Sequence, residues 1–204
     1  MRLLELNLGM GNLRSLQKAV EYCGAQVQLS DRPEEIKEAD GLLLPGDGAF
    51  GRAMQEIHTR DLRHALEEYV QMGGPVLGIC LGFQLLFEAS EEFGQHQGLG
   101  FLPGRLLQFP SNLRVPHMGW NLTYLDTTSR LLRHLPEKAY FYYIHSYRLP
   151  GVYPFTTGVC HYGGEFTAIV ERENLFGVQF HPEKSGNDGL QIIRNFLKIV
   201  EELS

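Results

Sequence analysis

The chain has 204 residues, 43% hydrophobic and 21% charged. That is ordinary globular composition, and a chain of this length buries roughly 70% of its unfolded surface without needing a disulfide or a metal. With 18 Lys and Arg against 24 Asp and Glu, the formal charge is −6, which argues against nucleic-acid binding, whose affinity comes from clustered positive charge. Cys23, Cys80 and Cys160 are an odd count and read as free thiols in a reducing compartment. No secretory leader or membrane-length apolar run is visible, so a cytoplasmic protein without a membrane partner is expected.

In chain order, Leu3–Leu8 is an apolar run interrupted by Glu5. Asn12 suits a helix N-cap, Leu13, Leu16, Val20 and Cys23 share one helical face, and Gly24 stops that helix. Val27–Leu29 reads as a strand. Pro33 opens a short acidic helix at the position where a missing N–H costs nothing, and Gly41–Leu44 is an apolar strand. Leu62, Ala65, Leu66, Tyr69 and Val70 make an amphipathic helix ended by Gly73-Gly74. Pro75–Ile79 reads as a buried strand and Leu81–Ala89 as a helix. This alternation predicts an α/β fold: an open, mixed, mainly parallel sheet with helices on both faces. Six strand-like runs follow, at Leu106–Phe109, Trp120–Leu125, Tyr140–Ile144, Val159–Tyr162, Phe166–Val170 and Phe176–Phe180. Leu190–Leu203 closes the chain as a helix. Without a linker or repeat, residues 1–204 read as one domain.

The strongest chemical signal is Gly78-Ile79-Cys80-Leu81-Gly82. Set between a buried strand and a helix, it has the G-x-nucleophile-x-G form of a nucleophile elbow. The turn is strained, and side chains on either flank would collide with neighbouring backbone, hence the glycines. The helix N-terminus favours thiolate. The Leu81 N–H, free as helix N-terminal amides are, suits an oxyanion. A thiol nucleophile wants a base and an orienting group. His181 ends the strand Phe176–Phe180, and Glu183, two residues on, can reach the same imidazole if the segment is extended. His145 is a rival base, since it also follows an apolar strand. Gly46-Asp47-Gly48-Ala49-Phe50-Gly51 matches the dinucleotide fingerprint, but the acidic residue expected about 20 positions on falls inside a helix. A loop that approaches the elbow and lends it a second N–H is more economical. Cysteine and histidine spacing offers no metal site, and no cofactor is called for. Trp120, the sole Trp, fits either core or interface.

These residues together resemble a class I, triad-type glutamine amidotransferase, of flavodoxin-like fold. The elbow and its continuation Phe83-Gln84-Leu85-Leu86 match one hallmark of that family, and Gly177–Glu183 matches the other. Within the class, Gly9–Ser15, Pro116–Asn121 and Lys184-Ser185-Gly186 are similar to the glutaminase subunits of imidazole glycerol phosphate synthases. The resemblance implies that glutamine is hydrolysed and that its ammonia passes to a (β/α)8-barrel cyclase subunit in histidine biosynthesis. It implies Cys80 as nucleophile, His181 as general acid and base, and Glu183 as its orienter. Leu81, Asp47 and Gly48 would form the oxyanion hole, and Gly46, Gly48, Gln84, Glu92, Ser146 and Tyr147 would bind substrate. Asn12 and Lys184 would face the cyclase.

Two departures from the family stand out: Asn7-Leu8 where Asp-Tyr is frequent, and Asp47 where Val is frequent. They leave open a paralogue with another acceptor, such as a sugar amidotransferase. A free-standing cysteine hydrolase, a nucleotide-binding module and an inactive scaffold are the competing classes. Asp47 also carries an expectation of its own. A carboxylate about 6 Å from a developing oxyanion would repel it by roughly 3 kcal/mol at an effective dielectric near 20. Its side chain should therefore turn away from the site.

Overall fold

The computed structural model describes residues 1–11 and 13–204; Asn12, expected as a helix cap and a partner-facing residue, lies outside them. The first part of the chain runs β1 (Leu3–Leu6), α1 (Leu13–Tyr22), β2 (Val27–Ser30), α2 (Pro33–Lys37), β3 (Gly41–Leu44), α3 (Phe50–Thr59), α4 (Leu62–Gln71), β4 (Val76–Ile79) and α5 (Leu81–Leu85). There follow β5 (Phe87–Ser90), β6 (His96–Gln97), β7 (Leu102–Gln108), β8 (His117–Leu125), β9 (Lys138–His145) and β10 (Tyr147–Pro150). The last part is β11 (Thr156–His161), β12 (Glu165–Arg172), β13 (Leu175–Val178) and the long closing helix α6 (Gly186–Leu203).

The sheet is mixed. Its parallel part has the order β2-β1-β3-β4-β13, and β12 runs antiparallel to β13. At β12 the sheet branches. One arm continues through β10, β7, β5 and β6, and the other through β11, β8 and β9. Side chains alternate across β1, so Leu3 joins the core beneath α1 and α6 while Leu4 and Leu6 join the core beneath α3 and α4. β4 and β13 are direct neighbours, with Val178 opposite Ile79. The residues that leave their C-terminal ends, Cys80 and His181, therefore emerge side by side.

Three local expectations change. The helix expected over Leu81–Ala89 stops at Leu85, and β5 begins at Phe87. The carbonyls of Leu85, Leu86 and Phe87 accept from Leu99, Leu102 and Gly100, so they are not available to a continuing helix. Sequence reading also passed over α3, although Phe50, Ala53 and Ile57 lie on its buried face. The glycines around it masked that spacing. Pro182–Lys184 forms a 3-10 turn rather than an extended segment.

Glu5 is the exception in the sheet. It is fully buried at the centre of β1, on the face shared with Leu3, and neither carboxyl oxygen has a partner among the described residues. Burial, and secondarily the charge of Glu183, push its pKa up to about 8. An unfolded glutamate ionises near 4.5. Between these values the folded state holds a proton that the unfolded state has lost, so this group's contribution to stability is full below pH 4.5 and falls as pH rises towards 8. The whole effect is on the order of 5 kcal/mol. Replacing Glu5 with Gln or Leu should therefore flatten the decline. Urea unfolding at pH 5 and pH 8.5 should show the variants gaining on the wild type at the higher pH. Parallel pH dependence in all three proteins would refute the buried proton.

Candidate active site

The elbow is built as the sequence requires. A Cβ at Gly82 would lie 1.7 Å from the Leu44 carbonyl oxygen, and one at Gly78 would lie 2.8 Å from the Gly82 oxygen. Neither position has room for a side chain. Between them Cys80 adopts φ 54° and ψ −106°, a sparsely populated conformation costing roughly 1–3 kcal/mol. Its N–H is held by Val178 O at 2.9 Å. The Sγ sits near the Ile144 carbonyl (3.9 Å) and the Gln179 amide (4.0 Å). The short α5 gives the thiol less than two turns of helix dipole.

His181 donates from Nδ1 to Glu183 Oε1 at 2.9 Å, the 3-10 turn achieving the contact that an extended segment was expected to make. Burial works against the imidazolium, but Cys80 and Glu183 outweigh it and hold the pKa at about 10. The thiol is close enough to act on the ring, yet Nε2 is buried without a hydrogen-bond partner among the described residues. The rival His145 has the opposite character. It is tied to Tyr147 O at 2.8 Å and to His117 at 3.0 Å, and burial first of all pushes its pKa down to about 3. Of the two histidines, only His181 has a carboxylate behind it.

Cys80, His181, Gln84, Glu92, Ser146, Tyr147, Asp47, Gly48 and Lys184 line one open cleft of about 350 Å³. Gly46 lies beside it, against the Leu81 side chain. The family model for class I glutamine amidotransferases matches residues 5–200. The chain belongs to this family. It is 46% identical over 196 residues to "Imidazole glycerol phosphate synthase subunit HisH" of Moorella thermoacetica, covering 96% of this chain and 93% of that one. The subunit of the same name from Thermosynechococcus vestitus is 46% identical over 202 residues, covering 97% and 96%. Among solved structures, PurLQS from Thermotoga maritima shares the fold with a TM-score of 0.78 at 20% identity, covering 97% and 98%.

In this amidotransferase the Leu81 N–H is not free, contrary to the expectation for a helix N-terminus. It donates to Gly46 O at 3.3 Å. The loop after β3 has come over the elbow with a carbonyl, not an amide, facing it. Asp47 is exposed at the cleft, and its carboxyl lies against Gly11. The helix-like end of the dinucleotide fingerprint is absorbed by α3, which begins at Phe50.

Other residues serve as supports. Gln84 donates from Nε2 to Tyr147 O (3.1 Å) and to Gln179 Oε1 (3.0 Å). Glu92 accepts the Phe50 N–H at 2.5 Å and so caps α3, whose own N-cap residue Ala49 cannot. Burial raises the Glu92 pKa and this bond opposes the rise. Two supporting residues escaped sequence reading. Ser185 donates from Oγ to His181 O at 2.6 Å and accepts the Tyr142 N–H at 2.9 Å, while Tyr142 O takes the His181 N–H at 3.0 Å. This staple binds β9 to the triad segment across 43 residues of sequence, and no local pattern announces it.

The two histidines should be distinguishable in solution. In an NMR titration His181 should remain protonated well above pH 7, and His145 should stay neutral down to about pH 4. Glu183→Gln should lower the His181 pKa by at least about one unit and leave His145 unmoved. A His145 resonance titrating near pH 6.5 would reverse the assignment of base.

Proposed function

We propose that the chain, acting over residues 1–204 as one amidotransferase domain, is the glutaminase subunit of an imidazole glycerol phosphate synthase. It releases ammonia from glutamine for a (β/α)8-barrel cyclase subunit in histidine biosynthesis. The observation that carries this reading is the pairing of His181 with Glu183 beside Cys80, at the end of adjacent parallel strands, in a chain nearly half identical to proteins of that name. We place the protein in the cytoplasm, a reading supported by its three free thiols. Among the described residues no helix is long and apolar enough to cross a membrane.

In this reading the Cys80 sulfur attacks the glutamine amide carbon as a thiolate, its proton on His181. The tetrahedral oxyanion collapses to a thioester, and the His181 proton leaves with ammonia. Water then attacks the thioester and gives its proton back through His181, and glutamate departs, so that one glutamine and one water yield one glutamate and one ammonia. Gln84, Glu92, Ser146 and Tyr147 line the position for the glutamine head group. The oxyanion donors are the amides of Leu81 and of Asp47 or Gly48. For these to serve, the Gly46–Gly48 peptides must rotate and free the Leu81 N–H. The isolated subunit should therefore be slow, since one lost donor costs about 10²–10³ in rate.

Partner docking is the natural trigger for that rotation. Lys184 is exposed at the cleft, and beside it β8 and β9 present Met118, Trp120, Tyr140, Tyr142 and Ile144 outward. Trp120 is 56% exposed and lies over Gly186, two residues beyond Lys184. We take this apolar face, continuous with the cleft mouth, as the cyclase contact, which assigns Trp120 to the interface.

Glutamate release, measured with and without the cyclase, tests the reading. Cys80→Ala should cut glutamine-dependent synthesis by about 10³-fold or more while ammonia-dependent synthesis by the partner persists. Near wild-type turnover of glutamine by that variant would remove Cys80 from its role. Trp120→Ala should weaken the complex by about 2 kcal/mol, roughly 30-fold in Kd, with little change in thermal stability. Unaltered affinity would move the interface elsewhere.

A further inference from the structure

One wall of the cleft is backed by a chain of hydrogen bonds with no part in the chemistry above. His145, at the end of β9, approaches Tyr147 O through Nδ1 at 2.8 Å and His117 Nδ1 through Nε2 at 3.0 Å. His117 Nε2 is 3.0 Å from Asn121 Nδ2, which also donates to His161 O at 3.1 Å. Asn121 Oδ1 accepts the Leu122 N–H at 2.8 Å, so both ends of this amide are assigned by their partners.

The end groups dictate the direction. A carbonyl oxygen only accepts, so His145 carries its proton on Nδ1 and leaves Nε2 as a lone pair. An amide nitrogen only donates, so His117 Nε2 is also a lone pair and its proton sits on Nδ1. The bonds then run one way, from Asn121 to His117 to His145 to the Tyr147 carbonyl. Both rings are buried, and His117 is stacked between Tyr143 and Tyr162 at 5.0 and 4.2 Å. Burial lowers the His117 pKa to about 4 and leads the causes that lower His145 to about 3, so both rings are neutral near pH 7.

We propose that Asn121, His117 and His145 are positioning residues for the glutamine subsite, their one-way chain pinning the Tyr147 carbonyl and the Ile144–Tyr147 wall of the cleft. This rests on the reading that this wall holds glutamine. The Tyr147 oxygen also accepts Gln84 Nε2, so the wall and the helix that follows Cys80 are fastened at one atom. Asn121 and His117 occupy the inward side of β8, and Met118 and Trp120 the outward side. The same strand thus carries both the support of the substrate wall and the apolar face.

Long-range proton–nitrogen NMR of the 15N-labelled wild type reads the tautomers. Both rings should be neutral Nδ1–H forms at pH 7. A ring protonated on Nε2, or doubly protonated, would overturn the proposal whatever the variants do. Asn121→Leu removes the donor to His117 and leaves its Nε2 unpaired, while the His145 lone pair still holds the proton on His117 Nδ1, so the ring should loosen with its tautomer kept. In the cyclase-stimulated reaction KM for glutamine should rise roughly tenfold, with kcat within about twofold. His117→Phe keeps the ring packing and should raise KM in the same way. An unchanged KM in both folded variants, or a fall confined to kcat, would also overturn it. If the wild type itself released no glutamate with its partner, the proposed function would fail first; normal wild-type turnover with unchanged variants defeats this inference alone.

Discussion

The contact on which the site depends is a collision avoided. The backbone of Gly82 passes so near the Leu44 carbonyl that a single added carbon would overlap it. That closeness draws the turn after β4 tightly over the end of β3. The tight turn forces Cys80 into its strained backbone geometry and lifts the sulfur above the sheet edge. It also brings the Leu81 amide under the loop that follows β3, where Gly46 O takes it up. The raised sulfur, the strain and the occupied amide are three results of one steric fact.

The electrostatics follow from where each group finds its partners. His181 and His145 are both buried near the same sulfur, yet one is held protonated and the other neutral. The difference is not burial, which opposes charge on both. Cys80 and Glu183 both favour the proton on His181, whereas a carbonyl and a second neutral imidazole stand around His145. A buried carboxylate for the base also has a cost to its surroundings. Glu5, held protonated first of all by its burial, lies within that field as well.

What could be read from the sequence was what short range decides. The two flanking glycines, the Cys between strand and helix, and the His with Glu two residues on are local patterns, and the structure brings them together. The parallel strands, α1, α2 and α4 were equally legible from periodicity, whereas α3 was not. The length of α5 was not, because residues 98–102 of a distant segment take its last carbonyls. The state of the Leu81 amide depends on a loop more than 30 residues upstream, and Ser185 acts through β9. Glu5 could be seen to break an apolar run, but its protonation required knowing that it is fully buried and within the field of Glu183. The choice between His181 and His145 needed the same three-dimensional information.

The outward side of β8 and β9 has a consequence for the protein's life before assembly. Their aromatic face is open to solvent, while the far edge of β9 is fastened at Tyr142 to the segment of His181 and Ser185. An exposed aromatic patch is a surface through which separate chains associate. In the proposed function a docked cyclase removes it from solvent, whereas free chains in excess leave it exposed to copies of themselves. Solubility is then set by the supply of that proposed partner as well as by sequence.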